Sequence, residues 1–96
     1  MTDDGAGAAE QWVDEVVAGP GGAMTDEVGV ITGDLTLRTT ARPGGPALVE
    51  IQYTGAEEWY LLTSGPYRLE ATPHAVHRAA LALVRAGYRA QEQADG

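Results

Sequence analysis

Ala9-Glu10-Gln11-Trp12-Val13-Asp14-Glu15-Val16-Val17 is the stretch on which the fold turns. Ala9, Trp12, Val13, Val16 and Val17 fall at helical spacing, and Glu10, Asp14 and Glu15 lie opposite them. Gly19-Pro20 stops the pattern and opens a Pro20-Gly21-Gly22 loop, so the spacing predicts a short amphipathic helix ahead of everything else.

Beyond the loop, Val28 to Leu69 is β-branched and aromatic, punctuated by glycine and proline, which predicts strands. Val28 to Thr32 is expected to pair with Leu35 to Ala41 across Gly33-Asp34, or to run on with it as one strand carrying a glycine bulge. Pro43-Gly44-Gly45-Pro46 reads as a turn. Leu48 to Thr54 alternates, with Val49, Ile51 and Tyr53 on one side and Glu50, Gln52 and Thr54 on the other. Gly55-Ala56 turns the chain back into Glu57 to Ser64, and Tyr67 to Leu69 is a short edge segment after Gly65-Pro66. A second helix follows, with Thr72 as its cap, Pro73 in its first position, Gly87 near its end, and an apolar stripe of Val76, Ala79, Ala80, Leu83 and Val84.

The expected order is helix, three or four antiparallel strands, helix. Each helix has one apolar face, so both lie on one side of the sheet in a two-layer α+β sandwich. Its expected core is Trp12, Val16, Val49, Ile51, Leu62, Val76, Ala80 and Leu83. Residues 1–7 read as a mobile acidic tail, 8–89 as one domain and 90–96 as a polar tail. Over residues 8–89 this order resembles, in topology only, that of the double-stranded-RNA-binding domain. In that family a lysine-rich entry to the second helix grips the RNA, whereas here Glu70-Ala71-Thr72-Pro73-His74 stands there.

Ninety-six residues suit a single core. With no cysteine there is no disulfide, thiolate zinc or cysteine nucleophile, and with no lysine there is no P-loop and no Schiff base. The longest apolar run, Ala79 to Val84, is pinned between Arg78 and Arg85, and the Met-Thr-Asp-Asp start is unlike a secretory leader, so the cytoplasm is the expected compartment. The net charge of −8 is unevenly placed: residues 1–37 hold eight carboxylates and no cation, and all six arginines follow. The bias to Arg, Ala and Gly fits a GC-rich genome.

Motifs for chemistry are sparse. Ser64 lacks a nucleophile elbow, Glu57 and Glu58 point to opposite sides of a strand, and Gly5-Ala6-Gly7 has no strand before it. No catalytic residue, metal ligand or cofactor is assigned. His74 and His77, with Glu70, have a spacing that could reach a metal, but a helix start disfavours a cation and a fourth ligand is lacking. His74, Arg78, Arg85 and Arg89 form a stripe on the second helix, read as a solvated face or a site for an acidic partner, since fourteen carboxylates would repel a nucleic acid.

Glu58-Trp59-Tyr60-Leu61-Leu62 is the pointer to function, because a strand with one wet face should alternate and this one is apolar on both. If the loop after Thr54 is even, Tyr60 and Leu62 share the core side, leaving Leu48, Trp59 and Leu61 as a candidate interface on the other; an odd loop with a bulge would exchange Trp59 and Leu61 for Tyr60 and Leu62. The expected function is therefore a small acidic, non-enzymatic protein-interaction module. It would form a homodimer or dock on a partner protein, as a regulator or immunity-type inhibitor. The alternative is a nucleic-acid or small-ligand binder using Tyr53, Trp59 and Tyr60 with the arginine stripe.

Overall fold

A computed structural model of the chain describes residues 10–41, 47–63 and 72–88. Its elements, in chain order, are strands β1 (Glu10–Val17), β2 (Ala23–Thr25), β3 (Gly29–Ile31), β4 (Asp34–Ala41), β5 (Ala47–Tyr53) and β6 (Tyr60–Leu61), then helix α1 (Pro73–Ala86). Strands β1-β4-β5-β6 form an antiparallel sheet in that order, and β2 and β3 form a separate two-stranded one. The architecture is α+β, with α1 packed across β1, β4 and β5.

The stretch expected to be the first helix is strand β1. It pairs with β4 along its full length, from Glu10 opposite Ala41 to Val17 opposite Asp34. Its apolar residues satisfy both periods: Trp12 and Val16 fall on one side of a strand, and Val13 and Val17 on the other. β-Branched valines and an indole tilt local preference toward the strand, and β4 has a second edge of backbone groups to satisfy. A helix would have satisfied only itself. With a strand standing first, the helix-first order of the double-stranded-RNA-binding domain is not the order found across residues 10–88.

The pairing expected for Val28 to Thr32 is also corrected. β3 pairs with β2, Thr25 opposite Gly29 and Ala23 opposite Ile31, and neither joins β4 across Gly33-Asp34 nor continues into it. The Thr25 hydroxyl donates to the Gly29 carbonyl at 2.7 Å and accepts from the Val28 amide at 3.2 Å, which fixes the tight connection. The sheet thus has four strands, but its first member is β1.

Strand β5 follows the expected alternation, with Val49 and Ile51 buried, although Tyr53 at its end is exposed. Its return strand shrinks to Tyr60–Leu61, Ile51 facing Tyr60 and Glu50 facing Leu61. The hairpin closes that side of the sheet. Asp26 N–H donates to the Leu61 carbonyl at 3.0 Å, the Leu61 N–H to Glu27 Oε1 at 2.9 Å, and the Thr63 N–H to the Met24 carbonyl at 2.9 Å. The Pro43–Pro46 turn, the Tyr67–Leu69 segment and both tails lie outside the described residues.

Helix α1 begins and ends where its capping signals say. The Thr72 hydroxyl accepts from the Ala75 amide at 3.1 Å, and Gly87 caps the other end. Its buried face is Val76, His77, Ala80 and Val84, with Leu83 half-buried and Ala79 exposed. This face meets Val16, Leu35, Leu37, Val49, Ile51 and Leu62 of the sheet side, while Ala23 and Ile31 extend the core under the hairpin. Of the expected core, only Trp12 and Leu83 stop at partial burial. Each fully buried leucine, isoleucine or valine contributes about 1.5 to 3 kcal/mol of transfer free energy.

The end of α1 touches the β1–β2 loop backbone to backbone. Gly19 N–H donates to the Val84 carbonyl at 3.0 Å and Tyr88 N–H to the Gly22 carbonyl at 2.8 Å. A β-carbon on Gly87 (φ +93°) would run into the Pro20 carbonyl oxygen, whereas one on Gly29 (φ +76°) would meet nothing within 4 Å. Both positions carry left-handed strain for an L-residue; only Gly87 adds a clash. In urea unfolding, Gly29→Ala should therefore cost about 1 to 2 kcal/mol, and Gly87→Ala at least about 1 kcal/mol more.

Candidate functional site

The register divides the four-stranded sheet cleanly. Trp12, Asp14 and Val16 of β1 share a side with Leu35, Leu37 and Thr39 of β4 and with Val49 and Ile51 of β5, and α1 covers this side. The other side carries Gln11, Val13, Glu15 and Val17 of β1, Thr36, Arg38 and Thr40 of β4, Leu48, Glu50 and Gln52 of β5, and Leu61 of β6. No strand or helix of the described residues packs over it, but the connection from Thr54 to Trp59 covers its β5 side, where Gln52 donates to the Ala56 carbonyl at 2.9 Å and both Thr36 and Gln52 are buried.

That open face has a built centre. Arg38 directs Nε and Nη2 at Glu50 Oε1, at 3.0 and 2.8 Å, across the β4–β5 pair. Its guanidinium also lies 3.9 Å from the centre of the Trp59 ring, a cation–π contact that seats the indole on this face. Thr36 and Thr54 hydroxyls bond at 3.0 Å, and Gln11 donates to Thr40 at 3.3 Å. Around this polar middle stand exposed apolar side chains: Val13 is 52%, Val17 63% and Leu48 46% accessible.

The residues expected at an interface, Leu48, Trp59 and Leu61, thus do share the face away from α1. Leu48 is exposed, and Trp59 and Leu61 are half-buried. Tyr60 stands across from Ile51 on the core side, half-buried, and donates its hydroxyl to Glu58 at 3.0 Å. That bond to a carboxylate, with a little desolvation, holds the phenol above its usual pKa of 10.0. Val13 and Val17 belong to the same face. They were hidden by the helical reading of β1, and alternation over Val13, Glu15 and Val17 was the signal available.

Helix α1 exposes His74, Arg78 and Arg85 of the expected electrostatic stripe; Arg89 lies outside the described residues. His74 is not only a stripe residue, for its ring stacks on Trp12 with centroids 5.6 Å apart.

His77 is enclosed within the core. Its Nδ1 meets the Thr39 hydroxyl at 2.7 Å, and its Nε2 meets Asp14 Oδ2 at 2.8 Å. A hydroxyl, an imidazole and a carboxylate in series are the parts of a nucleophile relay, but Thr39 is 0% accessible, so the hydroxyl cannot be approached by a substrate. The series instead ties α1 to β1 and β4. Both ring nitrogens are engaged by protein groups, which leaves His77 no lone pair for a metal. Among the described residues no three carboxylates or imidazoles gather at a metal-binding distance, and Glu70 lies outside them. Nor is any helix there long and apolar enough to cross a membrane.

No family model, curated protein or solved structure matches the chain.

The tie across Thr39, His77 and Asp14 is testable by its coupling. Removing one partner strands a buried polar atom, at about 1 to 3 kcal/mol, whereas removing both leaves less to strand. In chemical unfolding, Thr39→Val and His77→Phe should each destabilise by that amount, and the double variant should lose at least about 0.5 kcal/mol less than their sum.

Proposed function

We propose that this chain is a small acidic, non-enzymatic protein-interaction module that docks on a partner protein through the sheet face turned away from α1. One observation carries the reading. A face on which Val13, Val17 and Leu48 are exposed also holds a ready-made ion pair and an indole, Arg38, Glu50 and Trp59, with no described strand or helix over it. Exposed apolar groups set beside polar groups and an aromatic ring mark interaction surfaces.

Magnitudes choose between a second copy and a different protein. Covering the exposed parts of Val13, Val17 and Leu48 contributes about 2 to 4 kcal/mol, half the value of full burial. Association costs at least about 4 kcal/mol in lost freedom, so apolar contact alone does not hold two molecules together. Charge has to supply the balance, and two copies at −8 each repel. A basic protein attracts. A regulator or immunity-type inhibitor covering a basic surface of its target fits this balance, and a cysteine-free chain suits the reducing cytoplasm.

The experiment compares the full chain with Leu48→Asp, a substitution at an exposed site that leaves the core alone. Proteins retained by each are identified, and the retained partner is purified and titrated against both by calorimetry. A complex that Leu48→Asp weakens at least about tenfold supports the reading. Equal binding by both chains overturns it, as does a dimer of the isolated chain at micromolar concentration in sedimentation equilibrium. Sub-micromolar binding of RNA near physiological salt would overturn it in favour of the nucleic-acid alternative.

A further inference from the structure

The two edges of the four-stranded sheet are treated differently. At β6, backbone groups that face away from β5 are bonded by the hairpin through Asp26 N–H and the Glu27 carboxylate. At β1, among the described residues, nothing comparable stands.

Which backbone groups of β1 are free follows from the ladder. Just past the strand, Ala18 N–H donates to the Gly33 carbonyl at 3.0 Å, in step with the pairing of Val17 with Asp34. In an antiparallel pair, hydrogen-bonded positions alternate, so Glu10, Trp12, Asp14 and Val16 address β4. The bond from Thr54 N–H to the Asp34 carbonyl, 3.0 Å, shows the same alternation continuing between β4 and β5. Gln11, Val13, Glu15 and Val17 therefore turn both N–H and C=O outward, and among the described residues those groups have no partner. Eight residues without proline leave, among the described residues, a long edge of unbonded backbone groups.

We infer that this edge takes up an extended, arginine- or lysine-rich segment of a partner protein as a fifth strand of the sheet. The occupant follows from charge. Glu10, Asp14 and Glu15 line β1, and the first 37 residues hold eight carboxylates and no cation. A second copy would bring three more carboxylates and no cation to an edge that already carries Glu10, Asp14 and Glu15, while a basic segment would bring the charges that pair with them. Beside the open face, Val13 and Val17 flank Glu15, so the incoming strand fits best with apolar side chains beside the valines and a cation between them. Backbone bonds supply the docking and side chains the selection. The inference rests on the docking function proposed above, because the edge borders the face assigned to the partner.

The test uses the full chain, isotope-labelled, and the nine-residue peptide Arg-Thr-Val-Thr-Arg-Thr-Val-Thr-Arg, which sets valine, arginine and valine on one side of a strand. Binding should shift and protect from exchange the amides of Gln11, Val13, Glu15 and Val17, and should weaken as salt is raised. The same peptide with glutamate in place of every arginine, and the same peptide N-methylated at every residue, should each bind at least about tenfold more weakly. Val13→Pro removes one outward N–H and leaves the β4 ladder intact, as edge positions allow, and should show the same loss. If that variant does not fold, the N-methylated peptide still decides the matter. The proposal is overturned if the N-methylated peptide binds as well as the plain one, if the shifts fall on α1, or if the four amides are already protected in the chain alone. Failure of the peptide with a partner still lost in Leu48→Asp sinks the edge and spares the face. Binding at β1 with no partner affected by Leu48→Asp does the reverse.

Discussion

Strand β4 is the member on which the other elements depend. It is hydrogen-bonded on both sides, to β1 and to β5, and Leu35, Leu37 and Thr39 along it are completely buried beneath α1. A central strand in this position leaves no choice about its neighbours: each edge carries amides and carbonyls that must be bonded once the core excludes water. The chain on either side is recruited accordingly. β5 arrives by alternation that suits a strand anyway, whereas β1 arrives from a segment whose apolar spacing also suits a helix.

The same strand explains why a histidine sits in the core. Thr39 faces α1 with a hydroxyl that has no water to bond, and His77 reaches it from the helix while passing its other nitrogen to Asp14 on β1. Three elements far apart in sequence are thereby held in one register, because shifting β1 by a single residue would carry Asp14 to the opposite side of the sheet. An all-apolar contact would pack as well and constrain register less. At the other end of α1, close contact between Gly87 and the Gly19-Pro20 backbone does a similar job without side chains.

Much of this was legible in the residues, and what was not has a physical cause. Thr72, Pro73 and Gly87 announced the helix because capping is local chemistry, and Val49 and Ile51 announced β5 because a half-buried strand alternates. Leu48, Trp59 and Leu61 were placed on one face by parity alone, and the pairing of Ile51 with Tyr60 agrees. Residues 9–17 misled because Trp12, Val13, Val16 and Val17 satisfy periods of 3.6 and 2 alike; their β-branched and aromatic side chains tilt the balance only slightly, and the need of β4 for a partner, which decides it, is not local. Ala23-Met24-Thr25 carries almost no strand preference and becomes β2 through β3 and the hydroxyl of Thr25. His77 stood in the apolar stripe of α1, one residue after Val76 and three before Ala80, and that position was the sign of burial. Its partners at 14 and 39 follow from no spacing.

Charge and topology together give the molecule its direction. The acidic first part of the chain supplies β1, β2 and β3, yet its carboxylates are used unequally. Glu27 bonds the β6 backbone and Asp14 bonds His77, whereas Glu10 and Glu15 have no ion-pair partner among the described residues. The first cation in the sequence, Arg38, is one strand inward and already committed to Glu50 and Trp59. Among the described residues the pair of Arg38 with Glu50 stands in the middle of the open face, and Glu10 and Glu15 on β1, at the margin beside the unbonded edge, carry part of the charge that no cation offsets. Any positively charged partner drawn by the net charge is drawn toward that margin, where apolar side chains and free backbone groups are both within reach.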